Sequence, residues 1–536
     1  MIDTLVIKVY NKESNLIRKN FQINGLSKIN KLSFFDTNYE SCSNLNVFIL
    51  VDKKYRKLIR YCLKNKKINI ISTTKELIEK SSVNNILMVS DKYILNRNIV
   101  DNINCQFDGK FLYFKHNKNI VKDFVCFNKE FINKIFRKEN LKNSKKINLT
   151  DKFATKINNV SDLIHYDPKF AENNDCLIYT PGPLNIRMVA RPVLTNFAVH
   201  HRSEIAPYFY KELADNIKYI FGSTKGFPIA MMSTGLGCIE SCFANLTQPN
   251  DEALILNNGF FGNNLVNNAK HYKLNYEVLK ADMGKTFDLK DVEEKIQGKK
   301  FLFMTHLETS TGVLNDVEAI GKLCKKHNVI LIVDAVSSLI NHEFHFDKWN
   351  VTAAVGTSTK GLEISPGLSI LCLSEQAIEI MKANEINAND RSVYLSWKTF
   401  INKHLYNGVT PSTFPLGLIA SFNAAMKEIK IKGIKQQYSF KKKISTILYE
   451  ALENSGFERL PDKNNCASWI VVVKTPEHVS AKNLRAFLYI NFNILIETGI
   501  MDETDRILRI GLPMYMSVKS LNDLKKHICK YPSLVK

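Results

Sequence analysis

Ile332-Val333-Asp334-Ala335-Val336-Ser337-Ser338, followed by Ser358-Thr359-Lys360-Gly361, is the pair of stretches on which the reading of this chain turns. Each functional residue closes an apolar run. Twenty-six residues separate Asp334 from Lys360, the interval expected of two neighbouring strands and their connection. A buried lysine can be neutral enough to form a Schiff base, and a buried aspartate can keep a pyridine nitrogen protonated. Together they are what a pyridoxal phosphate site needs. The plainer alternative is a surface lysine in a turn and an aspartate capping a helix.

Further motifs surround the pair. Ser233-Thr234-Gly235-Leu236-Gly237 follows the apolar run Ile229–Met232 and precedes a helical pattern from Cys238 to Leu246. A strand, a small-residue turn and a helix N-terminus form a cradle for an anion such as a phosphate. Neither GxGxxG nor a P-loop is present. Asn258-Gly259-Phe260-Phe261-Gly262 can set an aromatic face against a planar ring, or supply two core phenylalanines. His306-Leu307-Glu308-Thr309-Ser310-Thr311-Gly312 follows the strand pattern Phe301–Met304. It brings hydroxyls and a carboxylate to a strand's carboxyl end, where sites in α/β sheets collect. The same loop could instead satisfy its own backbone.

Bulk properties narrow the class. The 536 residues are 45% hydrophobic and 24% charged, as in a soluble globular protein of two or three domains. The longest apolar stretches are strand-sized, so no membrane partner is expected, and the start MIDTLVIKVYNKES has no signal-peptide pattern. Eleven scattered cysteines, without a CxxC pair or a Cys/His cluster, predict reduced thiols, a cytoplasmic location and no metal site. The net charge of +22 is spread along the chain with many Asn and Ile. No nucleic-acid module accompanies it, so no nucleic-acid partner is expected.

Residues 1–150 are rich in Lys, Asn and Ile. Strand patterns at 46–51, 68–71 and 86–91, with helical patterns at 53–64 and 74–82, predict a small parallel α/β domain. A polar stretch at 142–151 marks the boundary, and 151–175 reads as a linker. Gly-containing turns become dense from Cys176. Residues 176–430 read as a large α/β domain, of which 176–195 contributes to the small domain or the site. Residues 431–536 read as a small C-terminal α/β domain, opening with an amphipathic helix over 438–455.

Taken in order, Tyr179-Thr180-Pro181-Gly182-Pro183, His201-Arg202-Ser203, the Ser-Thr-Gly cradle, Asn258-Gly259, Glu308–Gly312, Val333-Asp334-Ala335, Ser358–Gly361 and Leu508-Arg509-Ile510-Gly511 resemble the class V aminotransferases. These are fold-type I pyridoxal phosphate enzymes. The resemblance implies Lys360 as the Schiff-base lysine and proton shuttle, and Asp334 as the partner of the ring nitrogen. It implies Thr234, Gly235 and Leu236 around the cofactor phosphate, Phe261 as the stacking aromatic and Thr309 beside the ring oxygen. Val336 would also touch the cofactor. Arg509, with Pro181 and Gly182, would receive the substrate, Arg509 binding a carboxylate bidentately. Thr410, with Tyr406 nearby, resembles the segment that reaches the phosphate of a partner subunit, so a homodimer is implied.

Arg391–Trp397 and Glu308–Asn315 look most similar to 2-aminoethylphosphonate–pyruvate transaminases. His200-His201-Arg202-Ser203 looks more like serine– or alanine–glyoxylate transaminases. Asn46 to Ile103 resembles the middle of a nucleotidyltransferase, with Asp91 near its metal-binding aspartate. The glycine-rich nucleotide loop is missing, so that domain reads as a degenerate relative. The leading expectation is therefore transamination of 2-aminoethylphosphonate with pyruvate, giving phosphonoacetaldehyde and alanine. The alternatives are a serine/alanine–glyoxylate or pyruvate transaminase, a related class V enzyme, or a regulatory protein with a vestigial transaminase domain.

Overall fold

The computed structural model describes residues 176–536, apart from 197, 198, 385, 387, 501–503, 515 and 536, together with the backbone of nine strands between residues 4 and 156. The chain divides into two units. One comprises Ile178–Glu477 and Ile496–Cys529; the other comprises Met1–Leu177, His478–Leu495 and Lys530–Lys536.

The unit that starts at Ile178 is built on a seven-stranded sheet. Its strands are β1 (Phe227–Met231), β2 (Glu252–Asn257), β3 (Asn275–Lys280), β4 (Phe301–Thr305), β5 (Ile330–Asp334), β6 (Ala353–Thr357) and β7 (Ser369–Leu373). Their order across the sheet is β1-β7-β6-β5-β4-β2-β3. Strands β2 to β6 run parallel, and β7 runs antiparallel to both β1 and β6. The sequences explain this. Phe301–Thr305 and Ala353–Thr357 are buried along their whole length, as strands covered on both faces must be.

Two apolar layers cover the sheet. Leu254, Leu302, Leu331, Val333 and Ile370 point to one side, with Ile217 and Phe221 of α1 (Ala206–Phe221) and Phe422 and Met426 of α4 (Leu416–Lys432) packed on them. Ile255, Phe303, Ile332 and Val355 point to the other, with Ile239 and Phe243 of α2 (Gly235–Leu246) and Leu265 of α3 (Phe260–His271). Phe243 stacks on Phe303 with ring centroids 4.1 Å apart. Parallel strands leave their carboxyl ends together, so Asn257, Thr305, Asp334 and Thr357 share one edge of the sheet.

A smaller antiparallel sheet in the same unit has the order β8-β9-β11-β10, from β8 (Glu458–Arg459), β9 (Ile470–Lys474), β10 (Glu497–Thr498) and β11 (Ile507–Gly511). α5 (Ile434–Glu453) precedes it and starts four residues before the expected helix.

In the other unit, the strands Ile68–Ile71, Asn46–Leu50, Thr4–Lys8 and Asn85–Ser90 lie side by side in that order and run parallel. Asn119–Asn128 continues the sheet antiparallel, followed by Phe111–His116 and Ser144–Asn148. The strand Ser144–Asn148 falls within the polar stretch at 142–151 and ends the order of described strands in this sheet. The helices expected at 53–64 and 74–82, Asp91 and the segment 157–175 lie outside the described residues. No helix among the described residues is long and apolar enough to cross a membrane.

Candidate active site

Asp334 ends β5 at the shared edge. Its Oδ1 accepts the Val336 N–H at 2.9 Å, which orients the carboxyl. Burial pushes its pKa up to about 6, and the Glu308 charge adds to the rise; the Val336 N–H and the Lys360 charge oppose it. Lys360 follows β6 in a tight turn. The turn is fixed by Ser358, whose Oγ donates to the Ser365 carbonyl at 2.7 Å and whose N–H donates to Leu368. The Lys360 Nζ donates to the Pro181 carbonyl. Burial brings its pKa down to about 8, helped by the Arg509 charge and opposed by Asp334. Near neutrality a carboxylate and a lysine only slightly above its neutral form thus face one space.

That space is a cavity of about 320 Å³ lined by Gly182, Thr234, Gly235, Leu236, Phe261, Asp334, Val336 and Lys360, among others. Its volume suits a small cofactor. α2 opens at the cavity. Thr234 stands at the N-cap position in extended conformation, yet its hydroxyl makes no capping bond. The first N–H groups of the helix are therefore not covered by a side-chain cap, and the positive end of the dipole favours an anion. A Cβ on Gly235 would lie 2.8 Å from Val336 Cγ2, so only glycine lets the helix start this close to the Asp334 loop. Leu236 contributes backbone to this turn, while its side chain is 56% exposed.

Phe261 reaches the cavity from the first turn of α3. The cap of that helix comes from forty-seven residues away. Glu308 Oε2 accepts the Phe261 and Gly262 N–H groups at 3.0 and 2.9 Å. Its Oε1 accepts the Ser310 N–H and hydroxyl at 3.0 and 2.5 Å, and Ser310 Oγ accepts the Phe260 N–H. Glu308 is fully buried, and desolvation raises its pKa against those four bonds. The carboxylate of this loop thus serves the α3 terminus, and the glycine at 259 is needed because a Cβ would meet Glu308 Cγ at 2.5 Å.

Other expected residues stand around the cavity at different removes. Thr309 Oγ1 pairs with Ser337 Oγ at 2.5 Å. Arg509, on β11, donates from Nε to the Thr498 carbonyl at 2.8 Å and is opposite Glu497 in the sheet. It is 6% exposed and close enough to depress the Lys360 pKa. Gly182 has φ +109, and a Cβ there would meet Lys360 Cδ at 2.6 Å. Thr410 is not among the cavity-lining residues; its hydroxyl donates to the Ser412 carbonyl at 2.9 Å, and Tyr406 Oη donates to Asp215 at 2.8 Å.

Sequence reasoning missed a charged group behind the lysine: Arg187, Glu363 and Lys441, all buried. Lys441 Nζ donates to Asn341 Oδ1 and lies 3.9 Å from Glu363; burial brings its pKa down to about 8. His306, buried, and His342, half-buried, are pushed down by desolvation to about 3 and are neutral. In the sequence only their charge or imidazole marks them, and Lys441 is the first of three consecutive lysines.

The residues present fit pyridoxal phosphate: a lysine for its aldehyde, a carboxyl for its ring nitrogen, an aromatic face and a helix end for its phosphate. When bound, this cofactor withdraws electrons from the substrate carbon that carries the amine. Comparison with known proteins gives the same result. The chain is 26% identical over 342 residues to the serine–glyoxylate aminotransferase of Arabidopsis thaliana, covering 62% of this chain and 84% of that protein. It is 25% identical to the L-aspartate–glyoxylate aminotransferase of Paracoccus denitrificans, with 62% and 85% covered. The crystal structure of an alanine–glyoxylate aminotransferase from Nostoc sp. superposes with a TM-score of 0.64 at 25% identity, over 67% of this chain and 95% of that one. Residues 194–524 match the aminotransferase class-V family, so the chain belongs to that family and is a pyridoxal phosphate-dependent aminotransferase.

Proposed function

We propose that this enzyme moves an amino group from a small donor to a short 2-oxo acid, with glyoxylate as the first acceptor to test. The observation that carries the reading is the buried Arg509 guanidinium beside Lys360. A carboxylate is the group such a guanidinium recognises, and serine, alanine, aspartate and glyoxylate all carry one. The names of the similar proteins support the same substrates.

In this reading Lys360 holds the cofactor and, once released by the donor, moves the proton at the substrate carbon. Its pKa, brought down to about 8, leaves a useful neutral fraction for that task. Asp334 faces the ring nitrogen, Thr234, Gly235 and Leu236 present backbone to the phosphate, and Phe261 stacks on the ring. Val336, packed against Gly235, holds the Asp334 loop to the cradle. Thr309 stands beside the ring oxygen, and Pro181 and Gly182 border the substrate space. Thr410 serves the site of a second copy, in a homodimer located in the cytoplasm.

A second reading has 2-aminoethylphosphonate as donor and pyruvate as acceptor. The likeness of Arg391–Trp397 and Glu308–Asn315 favours it. So does the 1–150 region, read as a degenerate nucleotidyltransferase-like domain ahead of a linker at 151–175, a large domain at 176–430 and a small one at 431–536. Four parallel strands in that region suit the likeness.

The experiment is donor profiling of the purified holoenzyme with serine, alanine, aspartate and 2-aminoethylphosphonate against glyoxylate and pyruvate. The first reading expects kcat/KM with glyoxylate and an amino acid to exceed the phosphonate pair by at least about a hundredfold, some 3 kcal/mol of transition-state discrimination. A phosphonate preference of that size overturns it in favour of the second.

A further inference from the structure

Arg187 is fully buried, and its bonds are unusual in where they go. Its Nε donates to the Leu362 carbonyl at 2.7 Å and its Nη2 to the Gly361 carbonyl at 3.0 Å. Its backbone N–H donates to the Glu363 carbonyl at 2.9 Å. Three successive carbonyls directly after Lys360 are thus held by one residue. The same short segment that carries Arg187 also carries Pro181, whose carbonyl accepts the Lys360 ammonium, and Gly182, which lies against the lysine stem. Arg187 therefore sets the register between two segments that lie some 175 residues apart in the chain.

Glu363 extends the connection. Its carboxylate lies 4.0 Å from Arg187 Nε and 3.9 Å from Lys441 Nζ, and Oε1 accepts the Met514 N–H at 2.6 Å. Met514 follows β11, the strand that bears Arg509. Higher on that strand, Gly511 donates its N–H to the Tyr179 carbonyl at 2.7 Å. Glu428, 3.4 Å from Arg187 Nη1, completes two cations and two carboxylates. Buried ion groups contribute little net stability compared with apolar packing, so their presence here asks for another role. A guanidinium fork can hold two carbonyls in fixed directions; an ammonium cannot.

We propose that Arg187 is a positioning residue for the transamination step: it fixes Lys360 against the Pro181 carbonyl, and Glu363 carries the same register to the Arg509 strand. This rests on the reading of Lys360 as the cofactor lysine. The arms of the test are the holoenzyme, Arg187→Lys and Glu363→Gln. Arg187→Lys keeps the charge and loses the fork, and Glu363→Gln is isosteric should the first variant not fold.

Borohydride reduction followed by peptide mapping of the wild type tests the underlying reading; a label elsewhere than Lys360 overturns that reading and the proposal with it. With the label at Lys360, three quantities are read in the variants that melt cooperatively: kcat, KM, and the pH midpoint of the bound cofactor's absorbance band. Arg187→Lys is expected to lower kcat about a hundredfold with KM changed less than about threefold, as a shift of an ångström does. The midpoint is expected to move by about half a pH unit or more, because the imine nitrogen loses its fixed place. Glu363→Gln should do the same in smaller measure, about tenfold in kcat. A folded variant with kcat within about twofold and an unmoved midpoint overturns the proposal. Loss of melting temperature alone, with these readouts intact, assigns Arg187 to stability and also overturns it.

Discussion

Replacing Gly182 with alanine adds one methyl group where the chain lies against the Lys360 stem. The new Cβ would lie 2.6 Å from Lys360 Cδ, 3.0 Å from Cε and 3.1 Å from Nζ. Two costs follow. The first is conformational, because φ at this position is +109, and a side chain there costs about 1–3 kcal/mol. The second is steric, about 1–3 kcal/mol for overpacking, unless the lysine moves aside. The lysine is the flexible partner, so it is expected to move, and the steric cost then appears in cofactor binding. About 2 kcal/mol of lost binding is roughly a thirtyfold rise in cofactor Kd.

Gly298→Ala separates the two costs, since φ there is +72 and nothing lies within 4 Å of the new methyl. It should lose stability without losing cofactor. The assay is absorbance titration of each apo-protein with cofactor, together with thermal melting. If Gly182→Ala binds cofactor within about threefold of Gly298→Ala, the contact with the lysine stem has no bearing on the site and the reasoning fails.

Other outcomes follow from the same geometry. Lys360→Ala should abolish borohydride-trappable cofactor and lower kcat by at least about 10²–10⁴, the range for a lost general acid–base; a variant with unchanged turnover removes Lys360 from the chemistry. The rate of cofactor capture by apo-protein should rise with pH through about 8, because the neutral amine attacks and Lys360 is brought down to that value; a midpoint above 10 contradicts it. Cofactor affinity of the apo-protein should weaken as pH drops through about 6, where the Asp334 carboxylate takes up a proton, and Asp334→Asn should remove that acid limb along with most of the turnover. Glu308→Gln places an amide where four donors converge, and melting should report a loss of about 1–3 kcal/mol. An unchanged melting curve would mean that another group caps α3.

The fold and the centre of the site were legible because their residues end apolar runs. Asp334 and Lys360 stand at the carboxyl ends of β5 and just beyond β6, and a strand pattern reveals its own end. The cradle was legible from its small residues before a helical pattern. The role of Glu308 was not. Its loop was expected to bring a carboxylate to the site edge, yet that carboxylate caps a helix that begins forty-eight residues earlier, and no local pattern encodes such a pairing. Arg187, Glu363 and Lys441 were invisible for a related reason. Arg187 and Glu363 are single charged residues along the chain and Lys441 is the first of three consecutive lysines, and only folding removes these three from water and sets them beside one another. Thr410 is not among the cavity-lining residues, and a part for it in the site rests on the family likeness alone.

The bare start of α2 has a practical consequence for handling the protein. A helix terminus that lacks its own side-chain cap favours a small anion from the medium, and inorganic phosphate is the same chemical group that the cradle would receive from the cofactor under the proposed function. Phosphate buffer should therefore act as a preservative and an obstacle at once. At a hundred times its own Kd it would protect the apo-protein by about 2.7 kcal/mol, and it would delay reconstitution by the corresponding factor of about a hundred. Storage and loading of this enzyme accordingly call for different buffers.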